Sequence, residues 1–290
     1  KLFSTMKGYT KEQFVKDVIS GIIVAIIALP LSIALALASG VTPEQGIYTA
    51  IIAGFLISLF GGSRVQIAGP TAAFATIVAG IVAENGMSGL IIATILAGII
   101  LIIMGLCRLG NLIKFIPFTI TTGFTAGIAV TIVIGQLKDF FGITYKKGLS
   151  TVETMDKLKA LFKSFDSFNY QALIVGLVCL AVLIIWPYIN KTIPGSLIAV
   201  IVGIAMVSGL KMNVNTIGDL YTISNKLPSF SVPAFNLDTI GKLLPDAFTI
   251  AILAAIESLL SCVVADSMVH SKHNSNMELI AQGIGNIGSG

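Results

Sequence analysis

Residues 18–40, VISGIIVAIIALPLSIALALASG, carry no charged side chain. The run exceeds the ~20 apolar residues that a helix needs to cross a bilayer. Inside hydrocarbon every backbone amide must be satisfied within the protein, which restricts spanning elements to helices and closed barrels. Continuous apolar composition over this length, without alternation, selects the helix. Comparable runs occupy 46–60, 88–106, 115–137, 170–189, 195–210 and 245–268. Charged residues make up only 11% of the chain, against ~25% in soluble domains. The first run is longer than the apolar part of a signal peptide and leads straight into the second, so it reads as a retained helix. The short runs at 46–60 and 195–210 fit spans that are tilted, extended by their flanks or partly re-entrant.

Lys and Arg in short loops set the orientation. With the N-terminus inside, the cytoplasmic positions hold Lys1, Lys7, Lys11, Lys16, Arg64, Arg108, Lys114, Lys191 and Lys272. The outer turns at 42–45 and 84–87 hold no Lys or Arg. The sequence therefore predicts a multi-pass protein of the inner (plasma) membrane with a cytoplasmic N-terminus. Its net charge of +4 serves as anchoring and gives no reason to expect nucleic acid as a partner. Cys107, Cys179 and Cys262 lie in or beside apolar segments at spacings that match no zinc or CxxC pattern, and read as packing residues.

One segment breaks the pattern. In GGSRVQIAGPTAAFAT (61–76), Arg64 is followed by the strand-like VQIA and a Gly-Pro break. A short apolar helix then runs over 71–83, too short to span. A helix that begins inside a membrane points four unpaired N–H groups and a partial positive charge at whatever faces it. Half-helices of this kind form anion sites in transporters. Thr71 is the expected cap, and Ala72, Ala73 and Phe74 the residues whose backbone would meet the ligand. The alternative is a plain loop break between two ordinary spans.

Glu257, in TIAILAAIESLLSCVVADSM, is the second feature. A charge at mid-span costs ~3 kcal/mol or more to insert, so it marks a function or a partner. A carboxyl in such surroundings is suited to gaining and losing a proton, and Ser261 shares its helical face one turn on. Packing by a protonated Glu257 is the alternative. Asp266 lies near the cytoplasmic end and reads as interfacial. Pro30 interrupts the backbone bonding of the first span among small residues, with Ser32 beside it as a further candidate contact. Gly98 and Gly105, like GFTAGIA (123–129), permit close helix packing. His270 and His273 lack a carboxylate cage and are weak grounds for a metal. No nucleophile elbow, Walker loop or HExxH run is present, so neither catalytic residues nor a metal site is expected.

The polar segment 138–169 reads as an extramembrane connector with one amphipathic helix built on Leu158, Leu161, Phe162 and Phe165. The segment 211–244 reads as an irregular loop, with PSFSVPAF (228–235) as a short strand. A half-helix third, and a new interrupted span after the seventh, fit one repeat followed by the start of an inverted second. The chain ends at Gly290 in GIGNIGSG without a closing element, so a fragment is expected.

GVTPEQGIYTA (40–50), GGSRVQIAGPTAAFA (61–75), IPFTITTGFTAGIA (116–129), AIESLLSCVVADSM (255–268) and HNSNMELIAQGIGN (273–286) resemble the SulP anion-transporter family, in order and over nearly the whole chain. LPLSIALALASGVTP and the ESLL/ELIAQG pair look closest to bacterial members that include C4-dicarboxylate carriers. The resemblance implies an all-α membrane protein, the first half of a 7+7 inverted-repeat fold whose third half-helix follows a short strand. It places core spans one to four and the first gate span at 1–137, the connector at 138–169, the remaining gate spans and a loop at 170–244, and the start of the second repeat at 245–290. Substrate would lie between the third and tenth half-helices, against Thr71, Ala72, Ala73, Phe74, Ser32 and Ser261, with Glu257 as the cation-coupling residue. The family uses protons or sodium there, and Glu in place of Asp favours protons. No cofactor is implied; a lipid bilayer, a small anion and a homodimer of the full-length protein are.

The resemblance implies secondary active uptake of a dicarboxylate or a small inorganic anion such as sulfate or bicarbonate. A channel or exchanger without proton coupling and a non-transporting scaffold remain the alternatives. Leu31 and Leu35 stand where many members carry Gln and an aromatic residue. The tenth half-helix, most of the second gate and the STAS domain usual in the family are absent from these residues.

Overall fold

The computed structural model describes residues 8–69, 71–115, 118–151, 153–190, 193–221 and 236–290. Pro70, Lys1, Lys7, Lys191 and the segment PSFSVPAF, each part of an expectation above, lie outside these residues. The described chain is helical, and five of its helices are long and apolar enough to cross a membrane. It forms two compact units, Lys1–Asp17 with Leu31–Phe124 and Ser224–Gly290, and Val18–Pro30 with Thr125–Ile223.

Several helices begin earlier than their apolar runs because polar caps extend them. Helix α1 spans Lys11–Ala38, with Thr10 accepting from the Gln13 amide and the Gln13 side chain returning to the Thr10 N–H. Helix α2 spans Pro43–Phe60 behind the same device at Thr42 and Gln45, with Pro43 in the first turn. The helix continues through Pro30 in α1 without interruption.

Helix α3, Ala72–Leu106, is two helices joined at Gly86, whose φ of 66° and ψ of −172° are accessible to glycine and costly for other residues. The stretch before Gly86 is the expected half-helix, and the stretch after it is a span. A 3₁₀ turn, Leu109–Phe115, follows. Helix α4 covers Phe118–Phe140, α5 Thr154–Lys163, α6 Tyr170–Ile189 and α7 Gly195–Ile204, which continues as a π turn through Gly209. Helix α8, Ile217–Leu220, is one turn long. Helix α9 runs Leu237–Val269 and α10 Ser275–Ser289, each capped by an asparagine, Asn236 and Asn274.

The expected strand over 65–68 does not form: no strand occurs among the described residues. A strand needs a ladder partner, and this segment is held by side chains instead. The Val65 N–H reaches Ser63 Oγ at 3.4 Å, and Gln66 reaches helix α9.

In the first unit, α3 packs on α9 and α10, and α10 packs on α2. Ala93, Ala97 and Leu101 of α3, Ala247, Ala251 and Leu259 of α9 and Leu279 of α10 share one apolar core. Backbone meets backbone where α3 crosses α10: a Cβ on Gly98 would lie 2.7 Å from the Gly283 carbonyl oxygen, and one on Gly283 2.5 Å from that of Gly98. Gly105 is equally close to the Asn276 carbonyl, at 2.7 Å. The small-residue reading therefore holds at Gly98 and Gly105. At Gly123 and Gly127 an added Cβ would meet no described atom within 4 Å.

In the second unit, α6 packs on α7 and turns Ile184, Tyr188 and Ile189 outward. The connector helix α5 buries Ala160 and Leu161 and exposes Phe162. Phe141, Phe165 and Phe168 cluster beside it. Lys146 pairs with the exposed Asp166 at 3.0 Å and holds its carboxyl below the usual carboxylate range.

Candidate functional site

A cavity of about 350 Å³ lies within the first unit, walled by α1, α2, α3, α9, α10 and the loop before α3. Glu257, Thr71, Phe74, Ser32 and Ser261 all line it, from segments far apart in sequence. Thr71 does not cap its own helix with its side chain. Its hydroxyl instead donates to Glu257 Oε2 at 2.6 Å, joining the start of the half-helix to mid-α9. The expected cap is thus corrected: the Thr71 hydroxyl is turned toward Glu257 across the cavity and makes no bond to the N–H groups of its own first turn. The first turn closes through the Phe74 N–H, 3.3 Å from the Thr71 carbonyl. The N–H groups of Ala72 and Ala73 have no acceptor within the helix, as at any helix start. Ala72 is buried, and Ala73 is half-buried.

Ser32 is wholly buried in the wall, where α1 approaches Gly46 so closely that a Cβ there would sit 2.6 Å from the Ser32 carbonyl oxygen. Ser261 faces the cavity one turn beyond Glu257. Arg64, prominent in the sequence, is exposed and does not line the cavity. Among the described residues no Lys, Arg or His lines it.

A polar network that forms one wall of the cavity was missed from sequence. The Gln66 amide donates to the Ser258 carbonyl and hydroxyl, each at 3.2 Å, and its oxygen lies 2.8 Å from Cys262 Sγ. Ser258 Oγ also accepts from Gln282 Nε2 at 2.9 Å and donates to Glu278 Oε1 at 3.1 Å. Glu278 Oε2 accepts from the Gly62 and Ser63 amides at 2.8 and 3.3 Å. The ELIAQG pattern carried the signal, because Glu278 and Gln282 are one helical turn apart and share a face.

His273 and Asp266 form a different feature. Asp266 accepts from Ser271 Oγ and the His273 amide, both at 2.9 Å, and its Oδ2 lies 2.7 Å from His273 Nδ1. This closes the turn between α9 and α10. No group of three potential metal ligands occurs among the described residues. Cys262 is buried as a packing residue, but Cys107 is exposed at the end of α3, contrary to the reading of all three cysteines as packing.

A helix that opens against a carboxylate, within a multi-pass helical chain, is an arrangement that membrane transporters use. The chain belongs to the sulfate permease family, whose family model matches residues 14–290. It is 42% identical over 287 residues to YvdB of Bacillus subtilis, whose assignment as a sulfate transporter is provisional; the match covers 97% of this chain and 53% of that protein. It is 32% identical over 287 residues to the bicarbonate transporter BicA of Picosynechococcus, covering 94% of this chain and 50% of the relative. The solved transmembrane domain of a cyanobacterial BicA superposes with a TM-score of 0.80 at 32% identity, over 93% of this chain and 69% of that one. Murine Slc26a9, an anion transporter solved facing inward, shares the fold with a TM-score of 0.80 at 19% identity, over 99% of this chain and 52% of that one.

The chain thus spans about half the length of the curated relatives it matches. These relatives carry the names of sulfate and bicarbonate transporters, not of the C4-dicarboxylate carriers toward which the motifs leaned. All are transporters, and no catalytic family is indicated.

Proposed function

We propose that the full-length protein is a proton-coupled secondary transporter that takes up a small inorganic anion, sulfate or bicarbonate, across the plasma membrane by alternating access. The observation that supports this most is the 2.6 Å bond from Thr71 to Glu257, which sets an ionisable carboxyl against the start of the half-helix. In this reading the anion meets the free N–H groups of Ala72 and Ala73 beside Thr71 and Phe74, with Ser32 and Ser261 on the walls. Glu257 holds the coupling proton and releases Thr71 when it is neutralised. Sodium at Glu257 is the competing cation.

Spans one to four and eight move as a core against a gate of spans five to seven, a second repeat inverted to the first completes the fold, and the full-length protein is a homodimer. The N-terminus is cytoplasmic. Sulfate and bicarbonate lead because the relatives carry those names, and succinate is the dicarboxylate to set beside them. Uptake of the three labelled anions into proteoliposomes holding the full-length protein tests the reading. Flux no greater than in empty vesicles for all three refutes it.

A further inference from the structure

Glu278 is 1% exposed, and no Lys or Arg among the described residues pairs with it. A buried carboxylate is costly unless its oxygens are met by donors. Here four donors from three segments meet it: the Gly62 and Ser63 amides of the loop before α3, the Ser258 hydroxyl of α9 and Gln282 Nε2 of its own helix, the last at 3.4 Å. The loop is held from the other side as well, because the Asn274 N–H donates to the Gly62 carbonyl at 3.1 Å. The fit leaves no room for a side chain at Gly61 or Gly62. A Cβ on Gly61 would lie 3.0 Å from Glu278 Oε2, and one on Gly62 2.0 Å from the Asn274 carbonyl oxygen.

We propose that Glu278 is a positioning residue of the anion site: its carboxylate fixes both the loop that delivers the half-helix and the Ser258 hydroxyl behind Glu257. Ser258 and Gln66 line the cavity, and Ser258 has both lone pairs taken by Gln66 and Gln282, so its hydrogen goes to Glu278. Glutamine cannot replace the carboxylate in this setting. One orientation turns its NH2 toward the Gly62 and Ser63 amides, donor against donor. The other turns it toward Ser258 and Gln282, which already donate. Either way one of the two clamped elements is released, and the start of α3 loses its place relative to Glu257.

The proposal rests on the transport reading, and the experiment separates the two. Half-saturation and maximal rate of labelled sulfate and bicarbonate uptake are measured in proteoliposomes for the full-length wild-type protein, Glu278→Gln, Glu278→Asp, Ser258→Ala and the Ser258→Ala/Glu278→Gln double variant. Rates are normalised to folded protein. A lost hydrogen bond to a charged group predicts half-saturation raised about tenfold or more in Glu278→Gln. Glu278→Asp, which keeps an acceptor-only carboxylate, shifts it less. In the double variant the two effects are not additive, because they share one bond. If Glu278→Gln does not fold, a half-saturation in Glu278→Asp equal to that of the wild type overturns the role. Unchanged half-saturation in a folded Glu278→Gln, or additive effects in the double variant, does the same. Absence of saturable uptake by the wild-type protein is a different result: it removes the transport reading and the positioning role with it.

Discussion

Replacing Gly283 by alanine places a methyl group against backbone. The new Cβ would lie 2.5 Å from the Gly98 carbonyl oxygen, 2.6 Å from Ile102 Cγ1 and 3.0 Å from the Ile102 nitrogen. Ile102 can rotate away, but the carbonyl cannot. Helices α3 and α10 must therefore part until the contact reaches an ordinary separation, and the core at Ala97, Leu101 and Leu279 opens with them. Overpacking of this kind costs about 1–3 kcal/mol, which lowers the apparent unfolding midpoint by about 2–12 °C. Gly98→Ala makes the reciprocal clash, 2.7 Å from the Gly283 oxygen. Once one substitution has spread the pair the second costs less, so the double variant should be more stable than the sum of the singles implies. Gly21→Ala is the control: its Cβ meets nothing within 4 Å, and in a helix the change should be neutral or stabilising by up to about 1 kcal/mol. Thermal unfolding of the purified full-length protein in detergent reads all four. A Gly283→Ala midpoint equal to that of Gly21→Ala, or additive singles, would refute the backbone contact.

Thr71→Val keeps the shape of the side chain and removes the donor to Glu257, so half-saturation for the transported anion should rise about tenfold, while Thr71→Ser should restore it in the same uptake assay. Within one loop, Gly62→Ala should lower the unfolding midpoint sharply and Gly69→Ala should not, because only at Gly62 would a Cβ strike backbone, 2.0 Å from the Asn274 oxygen. A variant keeping Cys107 as its single cysteine should react with a membrane-impermeant maleimide from the cytoplasmic side alone. In a second variant that keeps only Cys262, that thiol, buried against Gln66, should stay unlabelled until the protein is unfolded.

The spans were legible because hydrocarbon demands long apolar runs, and residues 170–189 were read to the residue as α6. Starts were read late wherever a polar cap extends a helix, as at Thr10 and Thr42. The half-helix was visible at both ends, in its Gly-Pro break and in the polar turn at 84–87, and the structure places the break at Gly86 inside that turn. That Glu257 faces the cavity could be argued from its cost in a membrane. That Thr71 reaches it could not, because 186 residues separate the two. Glu278 escaped notice because it lies near a helix start, where a carboxylate is ordinary, and only the approach of Gly62 and Ser63 makes it unusual. The strand expected at 65–68 rested on β-branched composition, which cannot show whether a partner strand exists.

The most direct measurement is uptake of labelled sulfate into proteoliposomes containing the full-length protein, with and without an inward proton gradient, for the wild type and Glu257→Gln. The wild type should show saturable uptake above empty vesicles that the gradient accelerates. Glu257→Gln should fold and bind the anion yet lose that acceleration. An equal response to the gradient in both proteins would contradict the coupling role of Glu257.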